Sequence, residues 1–151
     1  MFISKKLEVR DTEKGRSLFA VENIEIDEIL IKFKGKILDH PTKTSLQINE
    51  GRHLEGTGKI DDFLNHSCNP NGYVNFDDMT FRSLRDIREG DEVTFNYLTT
   101  EWDMANKFEC HCGSKNCFKH IKGFKYLTLE QKKSLEPLLS PFLKKKLTEA
   151  K

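Results

Sequence analysis

From Leu7 to Tyr97 apolar and polar positions alternate in short runs, and only the last stretch of the chain changes to a helical period. Leu7-Glu8-Val9-Arg10 reads as a short strand, Asp11 to Gly15 as a polar turn, and Ser17-Leu18-Phe19-Ala20-Val21 as a second strand. Glu28-Ile29-Leu30-Ile31-Lys32-Phe33 alternates and is β-branched, so it predicts a third strand, and Gly35 to Leu38 extends it. The region His40 to Lys59 is poorly patterned; it predicts a strand around Ser45 to Ile48 and turns at Gly51, Gly56 and Gly58. Tyr73 to Phe76 and Thr80 to Leu84 predict a hairpin across Asp77-Asp78. Glu89-Gly90-Asp91 is a turn before a strand over Glu92 to Tyr97. The pattern shows neither an internal repeat nor a low-complexity linker.

The tail reads differently. Thr128 is placed as an N-cap, with Gln131 as its capping-box partner. Leu135, Leu138, Leu139, Phe142, Leu143 and Leu147 recur at helical spacing, which predicts a face packed on the domain. Pro137 and Pro141 split or kink that helix. Lys144-Lys145-Lys146 reads as a solvated helix end that complements the helix dipole.

At 151 residues the chain has room for one core. The hydrophobic share of 36% is modest, yet eleven Phe supply bulky interior material and argue against disorder. The formal net charge of +1 gives no bulk attraction for a polyanion, so direct nucleic-acid binding is not expected. Met1 to Lys6 is followed by no long apolar run, which predicts neither a secretory leader nor a membrane span. A cytoplasmic or nuclear location is the expectation.

Against that background the four cysteines stand out. Cys68 is isolated within Asn65-His66-Ser67-Cys68-Asn69-Pro70-Asn71, and the others crowd into Cys110-His111-Cys112-Gly113-Ser114-Lys115-Asn116-Cys117. Disulfides are rare in cytosol, and a C-x-C pair is a better metal clip than a disulfide frame. Either the four share one tetrahedral ion or they are plain buried thiols. The clustering beside Gly and polar residues favours the ion, with His111 and His120 as rival ligands.

Three blocks carry a resemblance: Gly15-Arg16-Ser17-Leu18-Phe19-Ala20, Asn65 to Asn71, and Gly90-Asp91-Glu92-Val93-Thr94-Phe95-Asn96-Tyr97. In this order they resemble the SET-domain family of S-adenosylmethionine-dependent protein-lysine methyltransferases. Phe108-x-Cys110-x-Cys112-Gly113 with Cys117 resembles the zinc-binding post-SET segment of many members. The resemblance covers roughly residues 5 to 120, and its second block is the most specific. It implies a mainly β fold of small sheets around a pseudoknot, with a post-SET zinc site and a C-terminal helical tail. The implied organisation is a SET domain over 1–105, a post-SET segment over 106–122 and a helical tail over 123–151.

The resemblance also implies the site. Tyr97 matches the family's catalytic tyrosine. Gly15, Arg16, Ser17 and Leu18 match a segment that approaches S-adenosylmethionine, Asn65 and His66 the pair that grips it, and Phe108 an aromatic that covers its adenine, while Tyr97 also belongs to the implied cofactor-binding set, its hydroxyl near the transferring methyl. Trp102 falls where the family builds a wall of the substrate lysine channel. Cys68, Cys110, Cys112 and Cys117 match a closed structural zinc site. The implied partner is a protein substrate with a basic, lysine-containing segment, either histone-like or another protein, and no membrane.

Some positions depart from the family. Ser17 stands where glycine is common, Asp62 where an arginine is common, and Asn96 before the tyrosine where an acidic residue is frequent. No tyrosine lies between Leu38 and Lys59, so the degree of methylation is not legible. Ser17 and Asp62 keep an alternative alive: a catalytically silent SET module that binds peptides or scaffolds partners. Asp61, Asp62, Glu101, Asp103 and Glu109 form a sequence cluster of acids, read as solvated surface with some attraction for a basic peptide.

Overall fold

The computed structural model describes residues 1–150. They fall into two units, each discontinuous in sequence: one built from Met1–Lys34 and Thr57–Asn96, the other from Gly35–Gly56 and the chain from Tyr97 onward. The first is dominated by short strands, and the second combines short strands with 3-10 turns and the helical tail.

In the first unit, strand Leu7–Thr12 pairs antiparallel with Gly15–Ala20, and the register Thr12↔Gly15 leaves a two-residue turn. Gly15 sits at φ 108°, a backbone state that a residue with a Cβ adopts only under strain. A four-stranded antiparallel sheet is ordered Phe2–Ile3, Ile29–Lys32, Thr80–Ser83, Gly72–Asn75. The expected hairpin is present, with Thr80 opposite Asn75 and the turn residue Met79 at φ 54°. Its centre is Phe81, fully buried and worth roughly 2–3 kcal/mol of burial. Gly72 is required by that ring: a Cβ there would lie 2.1 Å from Phe81 Cζ. Leu18, Ile24, Leu30, Ile31, Ile87 and Val93 complete this core, each no more than 2% exposed.

The strand expected over Glu92 to Tyr97 is shorter than the sequence pattern predicts. Only Thr94–Phe95 is strand, paired parallel with Asn65–His66, and Tyr97–Thr99 turns into a 3-10 helix. The partner offers just two residues, so the ladder ends there and the backbone turns to satisfy itself.

In the second unit a three-stranded sheet is ordered Ile37–Leu38, Arg52–Leu54, Leu46–Asn49. Arg52–Leu54 lies in the region read only as turns. Gly51, at φ 62°, makes the reversal between Asn49 and Arg52. Phe108–Glu109 pairs with His120–Ile121. The tail follows its expected punctuation: helix Leu129–Ser134 starts on a full Thr128/Gln131 capping box, Glu136–Leu138 is 3-10, and helix Pro141–Glu149 restarts on Ser140 with Pro141 at its first turn. Leu135, Leu139, Phe142, Leu143 and Leu147 are buried. Lys146 departs from the solvated reading. Its ammonium lies 5.1 Å from the Trp102 ring centroid and 3.6 Å from a Glu50 oxygen, so this lysine helps seat the tail. No helix among the described residues is long and apolar enough to cross a membrane.

Candidate functional site

The parallel pairing of Asn65–His66 with Thr94–Phe95 fixes the central motif from below. Ser67 N–H donates to the Phe95 carbonyl at 3.1 Å. Asn71 then clasps the same segment from the other end of the motif: its Nδ2 donates to the Glu92 carbonyl at 2.8 Å and its Oδ1 accepts from Thr94 N–H at 2.9 Å. This structural task of Asn71 has a sequence signal in hindsight, a short amide side chain closing the Asn-Pro-Asn run, where local hydrogen bonding favours Asn.

Asn65 reaches the glycine hairpin. Its Nδ2 donates to the Arg16 carbonyl at 2.9 Å and to Ser17 Oγ at 2.8 Å. The structure therefore brings together Arg16, Ser17 and Asn65, residues nearly fifty positions apart in sequence. Ser17, buried to 4% exposure, supplies an acceptor that glycine lacks, so this departure adds a clamp rather than removing one. Leu18 turns into the core. Arg16 lays its guanidinium over Phe63, 5.7 Å from the ring centroid.

His66 is half-buried, and burial pushes its imidazole down to about 4, so it is neutral at physiological pH. Its Nε2 lies 3.3 Å from Cys68 Sγ. A thiolate at Cys68 would fix the tautomer with the proton on Nε2, donating to sulfur.

The Sγ atoms of Cys68, Cys110, Cys112 and Cys117 all lie within 4.8 Å of one another. With zinc–sulfur bonds of about 2.3 Å, the edge of a tetrahedron is about 3.8 Å, so the four sulfurs fit a structural zinc site after a contraction of about 1 Å. The downstream loop is shaped for this. Gly113 takes φ 76° between two of the ligands, and Cys110 N–H is held on the Lys119 carbonyl at 2.7 Å. Ser114 Oγ stands 3.1 Å from Cys112 Sγ, positioned to donate to a thiolate. His111 and His120 are exposed and lie beside Glu109, at 4.0 Å and 3.9 Å, instead of joining the sulfurs.

Tyr97 opens the 3-10 turn Tyr97–Thr99, and its ring meets Phe108 edge-on with centroids 6.1 Å apart. Trp102 is tilted against Phe124, lies under the ammonium groups of Lys146 and Lys132, and donates its backbone N–H to Gln47 Oε1 at 2.9 Å.

The acidic cluster of the sequence dissolves into local tasks. Asp61 accepts from Thr57 and Asp62 from Gly58, closing their own loop. Asp103 pairs with Lys107 and Lys125. Glu101, grouped with surface acids by sequence alone, is only 8% exposed, and burial pushes its carboxyl up to about 7. Its donors come from distant backbone and a neighbouring hydroxyl, which no local pattern announces.

The SET domain family model matches residues 15–98, more than half of the chain. A protein called methyltransferase flvH from Aspergillus flavus is 44% identical over 86 residues, covering 54% of this chain and 47% of its own length. An H3 lysine-36 specific histone-lysine N-methyltransferase of Yarrowia lipolytica is 30% identical over 141 residues, covering 78% of this chain and 18% of the relative. The crystal structure of KRYPTONITE with mCHH DNA, an H3(1–15) peptide and SAH superposes with a TM-score of 0.64 at 22% identity, over 80% of this chain and 30% of that one. This chain thus spans less than half the length of these relatives.

Proposed function

The chain belongs to the SET-domain family, and we propose on that footing that it is an S-adenosylmethionine-dependent protein-lysine N-methyltransferase acting on a basic protein segment. The relatives include histone-lysine methyltransferases, which makes a histone tail the first substrate class to test and a nuclear or cytoplasmic location the expectation. The bond from Asn65 to the Gly15–Ala20 hairpin carries this reading, because it ties together two of the segments the family uses for its cofactor.

Lysine side chains titrate near 10.4, so the nucleophile arrives protonated and without a lone pair. The cofactor, when bound, supplies a methyl group on a sulfonium. The protein has to exclude water, favour the neutral amine and aim it. In this reading the main chain of Gly15 to Leu18 lines the cofactor. Asn65, whose Nδ2 is engaged within the protein, keeps Oδ1 as an acceptor for the ammonium of the amino-acid end. His66 contributes backbone groups while its ring stays on Cys68. Phe108 covers the adenine and buttresses Tyr97, whose hydroxyl holds the incoming amine. Trp102 serves as a channel wall. Cys68, Cys110, Cys112 and Cys117 would hold a zinc ion as four thiolates, a closed donor set that would make the metal structural and steady the Phe108 segment.

Calorimetry with S-adenosylmethionine and radiolabelled methyl transfer into histones and other basic proteins test this. Wild type should bind and transfer. Tyr97→Phe should bind normally and lose roughly a hundredfold in transfer. Absence of cofactor binding in the wild-type protein would leave a silent SET module.

A further inference from the structure

We propose that Glu101 is a positioning residue for Tyr97, acting as the buried knot that sets the turn on which the tyrosine sits. This rests on the reading that Tyr97 faces the transferring methyl.

The geometry points in one direction from each contact. The N–H groups of Thr100 and Glu101 both donate to the Tyr97 carbonyl, at 3.2 Å and 3.0 Å. Glu101 Oε2 accepts from Thr100 Oγ1 at 2.7 Å and from the backbone N–H of Gln47 at 3.0 Å, in strand Leu46–Asn49. Gln47 returns the contact, accepting the Trp102 N–H on Oε1. The Glu101 carbonyl accepts from Phe124 N–H at 2.8 Å, and the Thr99 carbonyl from Ser140 N–H at 2.9 Å. The turn that begins at Tyr97 is thereby pinned to a strand, to the Phe124 turn and to the start of the last helix. One carboxylate oxygen makes the first of these anchors, joining the Thr100 hydroxyl of the turn to the Gln47 N–H of the strand.

A buried carboxyl is a costly way to fill space, and an apolar side chain would fill it more cheaply. What the carboxylate adds is one acceptor for two donors on separate segments, with charge-assisted strength. Among the described residues it has no ion-pair partner. The ionisable groups on the packed elements are engaged elsewhere or disfavoured as charges by burial. Burial pushes the imidazole of His53, across the ladder from Gln47, down; Glu50 pairs with Lys146; Asp103 pairs with Lys107 and Lys125 and accepts from Tyr126. Protonation of Glu101 near pH 7 turns the charge-assisted pair of bonds into weaker neutral ones. The hold on Tyr97 therefore loosens as pH falls through that range.

Three tyrosines make the test direct. The whole chain is labelled with 3-fluorotyrosine and the Tyr97 resonance is assigned with Tyr97→Phe. In wild type that resonance is expected to shift with a midpoint near 7, and kcat to rise with the same midpoint. Glu101→Gln is expected to abolish the step near 7 in both and to lower kcat roughly ten- to a hundredfold, with peptide KM and cofactor Kd little changed. Thr100→Val, which removes one donor and leaves the carboxyl, is expected to move the Tyr97 resonance part of the way, and serves alone if Glu101→Gln does not fold. An unmoved Tyr97 resonance with wild-type kcat and pH profile in a folded variant overturns the proposal. A wild-type protein without methyl transfer sinks the methyltransferase reading instead, and the fluorine spectra still decide whether Glu101 positions Tyr97.

Discussion

Replacing Cys68 by serine removes one of four sulfurs that lie within 4.8 Å of one another, and the consequence can be counted in protons. Zinc takes only thiolates, so loading a site of four cysteine thiols releases one proton per ligand, close to four per ion. His66, the neighbour of Cys68, is already neutral at that pH, with its imidazole pushed down to about 4 by burial, so it adds no proton to the count. Titrating zinc into the apo protein in buffers of different ionisation enthalpy gives the number as a slope. The wild-type slope should be close to four and the Cys68→Ser slope close to three, with weaker binding because one soft ligand is gone. His111 and His120 provide the control: each replaced by alanine should leave slope and affinity alone, since both rings are exposed and rest on Glu109. A wild-type slope near three, or a Cys68→Ser protein that loads zinc with the wild-type slope, would refute the shared site and leave three downstream cysteines with some other ligand.

Three further outcomes bear on the fold. Leu143→Ala, at a fully buried tail position, should cost about 3 kcal/mol in chemical denaturation, while Leu129→Ala, 42% exposed, should cost under about 1 kcal/mol; equal small effects would mean the tail is not part of the core. Gly72→Ala sets a Cβ 2.1 Å from Phe81 Cζ and should lower stability by about 1–3 kcal/mol in the same assay, with partial recovery in Gly72→Ala/Phe81→Leu. Glu101 makes stability depend on pH: burial moves its carboxyl from an ordinary 4.5 up to about 7, so the folded state holds the extra proton between those values and stability falls as pH rises through them, by about 3 kcal/mol at most. Denaturation midpoints at pH 5 and pH 8 should show that fall in wild type and lose it in Glu101→Gln.

Residues whose partners are close in sequence were legible. The Thr128/Gln131 capping box, the breaks at Pro137 and Pro141, and the hairpin across Asp77-Asp78 are local physics written in local residues. The clustered cysteines were legible for a different reason, because a metal site demands particular side chains wherever they sit. Arg52–Leu54 was missed because three residues, two of them Arg and His, show no period of their own; their strand state comes from neighbours on both sides. The end of the Thr94–Phe95 strand was missed because its length is set by the partner strand. Glu101 was misread as surface because charge is a local property and burial is not: one of its hydrogen-bond donors is 54 residues away. Ser17 reads as a departure from the family's glycine in sequence alone, because its partner, Asn65 Nδ2 at 2.8 Å, is 48 residues away.

The central motif shows why a short run of polar residues can carry so much of the architecture. A two-residue parallel ladder such as Asn65–His66 with Thr94–Phe95 has too few hydrogen bonds to hold itself, because parallel pairing is slightly weaker per residue and its closure entropy is large. Side chains supply what the ladder lacks, and each faces a different way. Asn65 reaches to the glycine hairpin, His66 to the sulfur of Cys68, and Asn71 back onto both sides of Val93, at the Glu92 carbonyl and the Thr94 N–H. An apolar residue at Asn71 would strand the buried Thr94 N–H, at about 1–3 kcal/mol. The identity of Asn71 therefore follows from the ladder's brevity, before any ligand is considered. The same brevity leaves the backbone free to turn at Tyr97, two residues after the last ladder pair, so the side chain proposed for chemistry stands on a turn whose orientation must be set by bonds other than the ladder's own.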